Sequence, residues 1–335
     1  MYLLKESPED FIVEERMDPP IEGKGRYAIV IVKKRETTTF KVIELLSRAF
    51  QISRNDISYA GVKDRHAVTT QYMALRNVSK RRILAASFDT VDIRYLGQSS
   101  QPIRLGQLEG NRFTITVRDL DHPLRQVQAI PNYFDRQRFS TNNIEIGRAL
   151  LKGNMDEAVR QILAQGRITH IEKGIKSHLA KRPNDVIGAL RTLQPKLLMM
   201  YVSAYQSWIF NRLLSEHIRE VSNPAVEVQE DFGVLRFPHD VKAAALPERL
   251  PMVGFHTEPD GHLQKILQEE GISPRSFIIR QIPEATAHGG MRKAWIAVKD
   301  LNISAYDDGS QTVSFALGKG SYATMVIRAM YVLAD

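Results

Sequence analysis

The chain contains no cysteine. That absence excludes disulfides, thiolate nucleophiles, cysteine-ligated zinc and iron–sulfur clusters. Long apolar runs are missing too. No stretch approaches the ~18 consecutive apolar residues of a membrane span, so no membrane association is expected. The opening residues, MYLLKESPEDFIVEERMD, turn acidic within a few positions and lack the apolar centre of a secretory leader. A cytoplasmic protein is therefore expected. There is no His-Glu-x-x-His or comparable metal-ligand spacing, no internal repeat and no low-complexity tract.

What is present is a chain of 335 residues, long enough for two domains or for one domain interrupted by another. Hydrophobic residues make up 43%, enough to bury a core and to argue against disorder. Lysine and arginine outnumber aspartate and glutamate by 46 to 38, for a net charge of +8. Such a balance favours a polyanionic partner, with RNA or DNA the first candidate.

The first third alternates strand-like and helix-like stretches. Tyr27–Val32 is apolar and β-rich, as in a buried strand. Phe40, Ile43, Leu46 and Phe50 recur at helical spacing behind Thr38 or Thr39 as N-cap. Phe113, Ile115 and Val117 alternate as one face of a half-buried strand. The middle reads as helical: Asn154 and Glu157 form a capping-box pattern, and Tyr205, Ile209 and Leu213 mark an amphipathic helix. Prolines gather between Ser222 and Pro283, which predicts turns and irregular connections. The end returns to the early texture, with TVSFAL as a strand and then a turn into a helix over Tyr322–Tyr331. Similar ends around a helical middle suggest a discontinuous domain with an insertion.

One segment stands out for chemistry. In Gly61–Gln71, Asp64 lies among Lys63, Arg65 and His66. Neighbouring cations favour an ionised carboxylate, available as nucleophile or base, although a solvated surface ion pair would look the same. The pattern continues as G-x-K-D-x-x-A-x-T-x-Q, and four further segments fall in order along the chain. They are KESPEDFIVEE from Lys5, EGNRFTITVRDL from Glu109, PNYFDRQRF from Pro131 and GSYATMVIR from Gly320. Together they resemble the signatures of the TruD family of tRNA pseudouridine synthases over nearly the whole chain.

The resemblance implies an α+β fold: a pseudouridine-synthase-type, mixed but largely antiparallel sheet with flanking helices, plus an inserted α/β domain. Residues 1–130 and 289–335 would form the catalytic domain and 131–288 the insertion, the other wall of an RNA cleft. It implies an enzyme that isomerises uridine, by family position 13 of tRNA, to pseudouridine, on a nucleotide flipped out of its stack. The reaction gains and loses no atoms, so no cofactor and no metal are expected. The partner would be tRNA, and the protein a monomer. Asp64 matches the catalytic aspartate and Lys5 its charge partner. Phe113 matches the aromatic on which uracil stacks, and Asn111 the amide that positions the aspartate or the base.

Lys63, Arg65, His66, Arg136 and Arg138 are further candidates for binding the substrate, and Met325 for packing against the site. Lys33, Lys34, Arg35, Lys80, Arg81 and Arg82 are candidate phosphate contacts. Two departures stand against the pattern. Asp135 and Ser140 occupy positions where the family commonly has glycine, and Ala329 follows Arg328 where an acidic residue is common. The competing readings are a catalytically silent RNA-binding or remodelling protein on the same scaffold, and a hydrolase using Glu9 or Asp10 as a second carboxylate.

Overall fold

The computed structural model describes residues 2–166, 169–222, 224–241 and 245–334. Backbone contacts divide the chain into two compact units. The first comprises Met1–Gln128 and Ala297–Ala323, with Ala334–Asp335; the second comprises Ala129–Ile296 and Thr324–Leu333. Among the described residues no helix is long and apolar enough to cross a membrane.

Strand β1 (Phe11–Arg16) buries Phe11, Val13 and Glu15 by alternation. In β2 (Tyr27–Arg35), Ala28, Ile29 and Val30 are all buried, because both faces of this strand are covered. Helix α1 (Thr39–Ala49) starts where the Thr38 hydroxyl accepts from the Lys41 amide. Its buried stripe is Thr39, Val42, Ile43 and Leu46, not the stripe that begins at Phe40. Phe40 lies about 100° around the helix from Thr39 and is 62% exposed. There follow β3 (Ile57–Tyr59), β4 (Val68–Arg76), α2 (Lys80–Leu84), β5 (Val91–Ser99) and β6 (Gly110–Val117). In β6 the buried positions include Phe113, Ile115 and Val117, as the alternation predicts.

The chain then enters the second unit through β7 (Ala129–Pro131). Its helices are α3 (Arg136–Phe139), α4 (Asn143–Leu151), α5 (Met155–Ala164), α6 (Thr169–Lys181), α7 (Val186–Arg191) and the 27-residue α8 (Pro195–Val221). Asn154 caps α5 by accepting from the Glu157 amide. The Glu157 carboxylate is engaged with Gln161 and Arg160. Beyond α8, the stretch predicted as irregular holds a regular antiparallel hairpin, β8 (Ala225–Glu230) with β9 (Gly233–Pro238). Asp231 and Phe232 form the tight turn between them, and Gly233, which opens β9, takes φ +128, a conformation open to glycine. β10 (Arg249–Met252), α9 (Gly261–Glu269), β11 (Gly290–Lys293) and β12 (Trp295–Ala297) complete the segment; β10 pairs with β11 and β12 with β7.

β13 (Lys299–Ile303) and β14 (Gln311–Gly318) return to the first unit, and α10 (Ala323–Val332) runs almost wholly in the second. The fold is thus α+β with a largely antiparallel sheet. Its eight strands run β13-β14-β6-β1-β4-β2-β5, with β3 also on β4. Among the described residues, β1–β4 is the one parallel ladder in this sheet. One face of β2 and β4 packs against α1 and α2 through Val30, Val32, Leu46, Phe50, Met73 and Ile83.

In the second unit α4 lies close against α8 at Gly147, where an added Cβ would lie 2.3 Å from the Tyr201 carbonyl oxygen. Backbone cannot yield as a flexible side chain does. Gly147→Ala is therefore expected to destabilise this unit by about 1–3 kcal/mol or more, read as a lowered denaturant midpoint.

Candidate active site

Parallel pairing makes β1 and β4 begin at the same end of the sheet, so the segments leading into them meet there. The first of these segments holds Lys5 and the second holds Asp64. They are 59 residues apart in sequence, and the Lys5 Nζ donates to Asp64 Oδ2 at 2.8 Å. Neither side chain is deeply buried, at 25% and 29% exposed. The Lys5 ammonium also sits 4.1 Å from the centre of the Phe11 ring. Lys5 adopts φ +62, a left-handed conformation that needs support from its surroundings. Support comes from the short turn behind it. Asp10 accepts from the Ser7 amide and binds Arg118 through both carboxylate oxygens. The Arg118 guanidinium holds the Asp10 carboxyl below its ordinary range, so it stays ionised and binding.

The Asp64 loop is fixed to the sheet face by four groups. Lys63 reaches inward, its Nζ 2.5 Å from Glu15 Oε1, with both side chains almost wholly buried. Glu15 Oε2 also accepts from the Tyr72 amide at 3.0 Å. The Lys63 amide donates to Thr39 Oγ1, whose hydroxyl donates to Gln71 Oε1, and the Gln71 amide group donates to the Gly61 carbonyl. Finally, Lys34 Nζ donates to the Asp64 main-chain carbonyl at 2.6 Å and to that of Thr37 at 2.7 Å.

Lys34 is a correction to the sequence reading. It was expected at the surface among phosphate contacts, yet it is 1% exposed. The signal was available, because Ala28, Val30, Val32 and Lys34 alternate onto the inward face of β2. Burial pulls its amine down to about 8, with the Asp64 charge opposing and Lys63 adding to the shift. Lys33 and Arg35 point the other way and are exposed; Arg35 pairs with Glu9 at 2.6 Å. Glu9 and Asp10, the carboxylates a hydrolase would draw on, are each bound to an arginine.

Cross-strand register sets Asn111 opposite Glu15, and Phe113 between Val13 and Phe315. Directly paired residues share a sheet face, so Asn111 and Phe113 lie on the face that Glu15 and Lys63 occupy. Phe113 is 7% exposed, 6.2 Å from Phe11 edge to face and 5.7 Å from Phe315. Asn111 Oδ1 is buried with no hydrogen-bond partner.

The remaining candidates are scattered. Arg65 and His66 are exposed, and His66 Nδ1 lies 3.3 Å from Glu36. Lys80, Arg81 and Arg82 are exposed too, though Arg82 is tied to the Phe50 carbonyl. Arg136, Arg138 and Met325 belong to the second unit. There Arg136 pairs with Asp231, Arg138 donates to Ser207 Oγ, and Met325 is 1% exposed. Tyr133, Phe134 and Phe139, interleaved with those arginines in sequence, are buried core. Ser140 does adopt a positive φ, +51, while Asp135 is extended and caps α3. Arg328 finds a partner in Glu230 rather than at position 329, where Ala329 is fully buried. Among the described residues, His217, Glu220 and His262 form one group able to hold a metal, with donor atoms within 4.8 Å of one another; it lies in the second unit.

A family model described as tRNA pseudouridine synthase D (TruD) matches residues 2–167 and 166–330. The tRNA pseudouridine synthase D of Syntrophotalea carbinolica is 30% identical over 386 residues, spanning 97% of this chain and 94% of that protein. The tRNA pseudouridine synthase D of Aquifex aeolicus is 27% identical over 380 residues, spanning 98% and 97%. A crystal structure of the putative tRNA pseudouridine synthase D (TruD) from Methanosarcina mazei aligns with TM-score 0.72 at 25% identity, covering 98% of this chain and 93% of that one.

Two outcomes follow from the buried charges. Glu15→Gln or Lys63→Met alone strands the partner charge and is expected to cost about 3–5 kcal/mol; the double variant should cost less than the sum, in denaturant unfolding. For Lys34 the folded amine titrates near 8, below its ordinary value of 10.5. Below pH 8 the penalty for burying its charge is fully present. It is released as pH rises from 8 towards 10.5, where the unfolded chain holds the extra proton. Lys34→Met should therefore match or exceed the wild-type stability at pH 7, and the wild type should gain on it between pH 8 and 10.

Proposed function

Because the chain belongs to the tRNA pseudouridine synthase D (TruD) family, whose reaction isomerises uridine to pseudouridine, we propose that it converts uridine 13 of tRNA with Asp64 as the reacting carboxylate. The contact between Lys5 and Asp64 supports this most: two residues far apart in sequence, each singled out by its own motif, meet at 2.8 Å.

The chemistry needs one such group. The N1–C1′ bond breaks, uracil turns, and C5 bonds to C1′; the proton on C5 leaves and one is gained at N1. The product is an isomer of the substrate, so the balance calls for no oxidant, reductant or cofactor. Asp64 acts either by attacking C1′ or by taking a ribose proton, and both routes require an ionised carboxylate. A cation at salt-bridge distance favours that state, most strongly once RNA excludes water.

In this reading the flipped uracil extends the aromatic row of Phe11, Phe113 and Phe315, stacking being worth ~1–3 kcal/mol per base. Asn111 Oδ1, buried and unpartnered, offers an acceptor to the base. Flipping costs a few kcal/mol, which phosphate contacts from exposed residues such as Lys33, Lys80 and Arg81 offset. Arg65 and His66 in the first unit, and Arg136 and Arg138 in the second, are candidate contacts for tRNA. The protein works as a cytoplasmic monomer: the sheet unit performs the chemistry, and the segment 131–288 is an inserted domain that helps hold tRNA.

Tritium release from [5-³H]uridine-labelled tRNA tests the reading. Wild type should release tritium from position 13 without free uracil. Asp64→Asn should lose release by at least about 1,000-fold while binding tRNA within a few-fold of wild type. Tight, salt-sensitive binding by a wild type that releases nothing would leave an RNA-binding protein in place of an enzyme.

A further inference from the structure

We infer that Lys34 is a positioning residue for Asp64, acting on its main chain from beneath and on its carboxylate through charge. The inference rests on the reading of Asp64 as the reacting group.

Three observations lead to it. First, the side chain is out of reach of RNA phosphates, being 1% exposed on the inward face of β2. Its partners across the ladders are Thr69 and Val91, neither of them charged. Secondly, both of its bonds go to main-chain carbonyls, those of Asp64 and Thr37. Thr37 directly precedes the N-cap of α1, so one ammonium ties the catalytic loop to the start of the helix beside it. A carbonyl only accepts, and the three N–H groups of an ammonium can serve two carbonyls at once where an apolar side chain serves none. Using the main chain leaves the Asp64 carboxylate to meet Lys5.

Thirdly, the position does not need a lysine for folding. The inward neighbours on the same strand, Val32 and Val30, are apolar and fully buried. A valine or methionine would pack there without the cost of desolvating an amine. A buried charge kept where an apolar residue would fit marks a site that serves something besides stability.

The charges facing Lys34 sharpen its role. Asp64 favours its protonated form and Lys63 opposes it, and Lys63 is itself answered by Glu15. Lys5, Lys34 and Lys63 against Asp64 and Glu15 leave one positive charge in excess. Positive charges nearby favour the ionised form of a carboxylate, and the loop carrying Asp64 cannot lift without stranding the Lys34 ammonium.

Lys34→Met and Lys34→Gln should be compared with wild type in four measurements: kcat for tritium release, dissociation constant for tRNA, the pH–rate profile and thermal unfolding. For Lys34→Met we expect kcat to fall about 10- to 100-fold, as for loss of one fixed electrostatic group. The tRNA dissociation constant should stay within about twofold, and the midpoint at which activity falls in acid should move up. Thermal stability should be kept or raised. Lys34→Gln, which retains a donor but no charge, should recover part of kcat and none of the acid shift.

A Lys34→Met enzyme with wild-type kcat would overturn the inference. So would unchanged kcat with tRNA binding weakened about tenfold, which would make Lys34 a phosphate contact. A loss of kcat matched by a loss of thermal stability, with the acid midpoint unmoved in both variants, would reduce Lys34 to scaffold. An inactive wild type would instead sink the synthase reading, and this inference with it.

Discussion

The parallel pairing of β1 with β4 is the constraint on which the site depends. An antiparallel pair would send the two leading segments to opposite ends of the sheet; this pair brings them to one end. Lys5 and Asp64 therefore meet although each lies outside the strand that its segment leads into. The carboxylate sits on a loop, but that loop is bound at its main chain by Gln71 and Lys34 and, through the Lys63 side chain, to Glu15. The arrangement joins the freedom of a loop to the fixed positions of a sheet.

Electrostatics then divides into a closed and an open part. Glu15 and Lys63 form the closed part, almost wholly out of water and bonded to each other. Their net contribution to stability is modest, since desolvation takes back much of the attraction, but either one alone would be costly. Lys5 and Asp64 form the open part, a quarter or more exposed and able to exchange one partner for another. Such a pair adds little to folding. A ligand that displaces water from such a pair would strengthen the attraction within it.

Much of this was legible beforehand. The motif segments singled out Lys5 and Asp64, which the structure brings into contact, and alternation alone put Phe113, Ile115 and Val117 on one face. Where local reading went astray, the cause was local too. Phe40 attracted the helix stripe because it is large and apolar, but helix phase is set by what β2 and β4 offer, and Thr39 faces them. Lys34 was read from its charged neighbours rather than its strand period. Prolines between Ser222 and Pro283 masked the hairpin of β8 and β9, whose strands run between those residues and end at Pro238. Contacts over long separation, such as Lys34 with the Asp64 carbonyl or Arg328 with Glu230, left no trace in one sequence. They depend on topology that periodicity does not report.

The discontinuity of the sheet unit has a consequence for the order of assembly. β6 is made early, yet its partner β14 lies beyond the whole second unit, Gln311 pairing with Val117. Until the ribosome has delivered β13 and β14, β6 is a bare edge with one row of backbone groups unpaired, and Phe113 lacks the cover of Phe315. The second unit is continuous from Ala129 to Ile296 and needs only Thr324–Leu333 to complete it. The nascent chain thus leaves this edge of β6, with Phe113 on it, uncovered throughout the synthesis of the second unit, and covers it only once β14 is made.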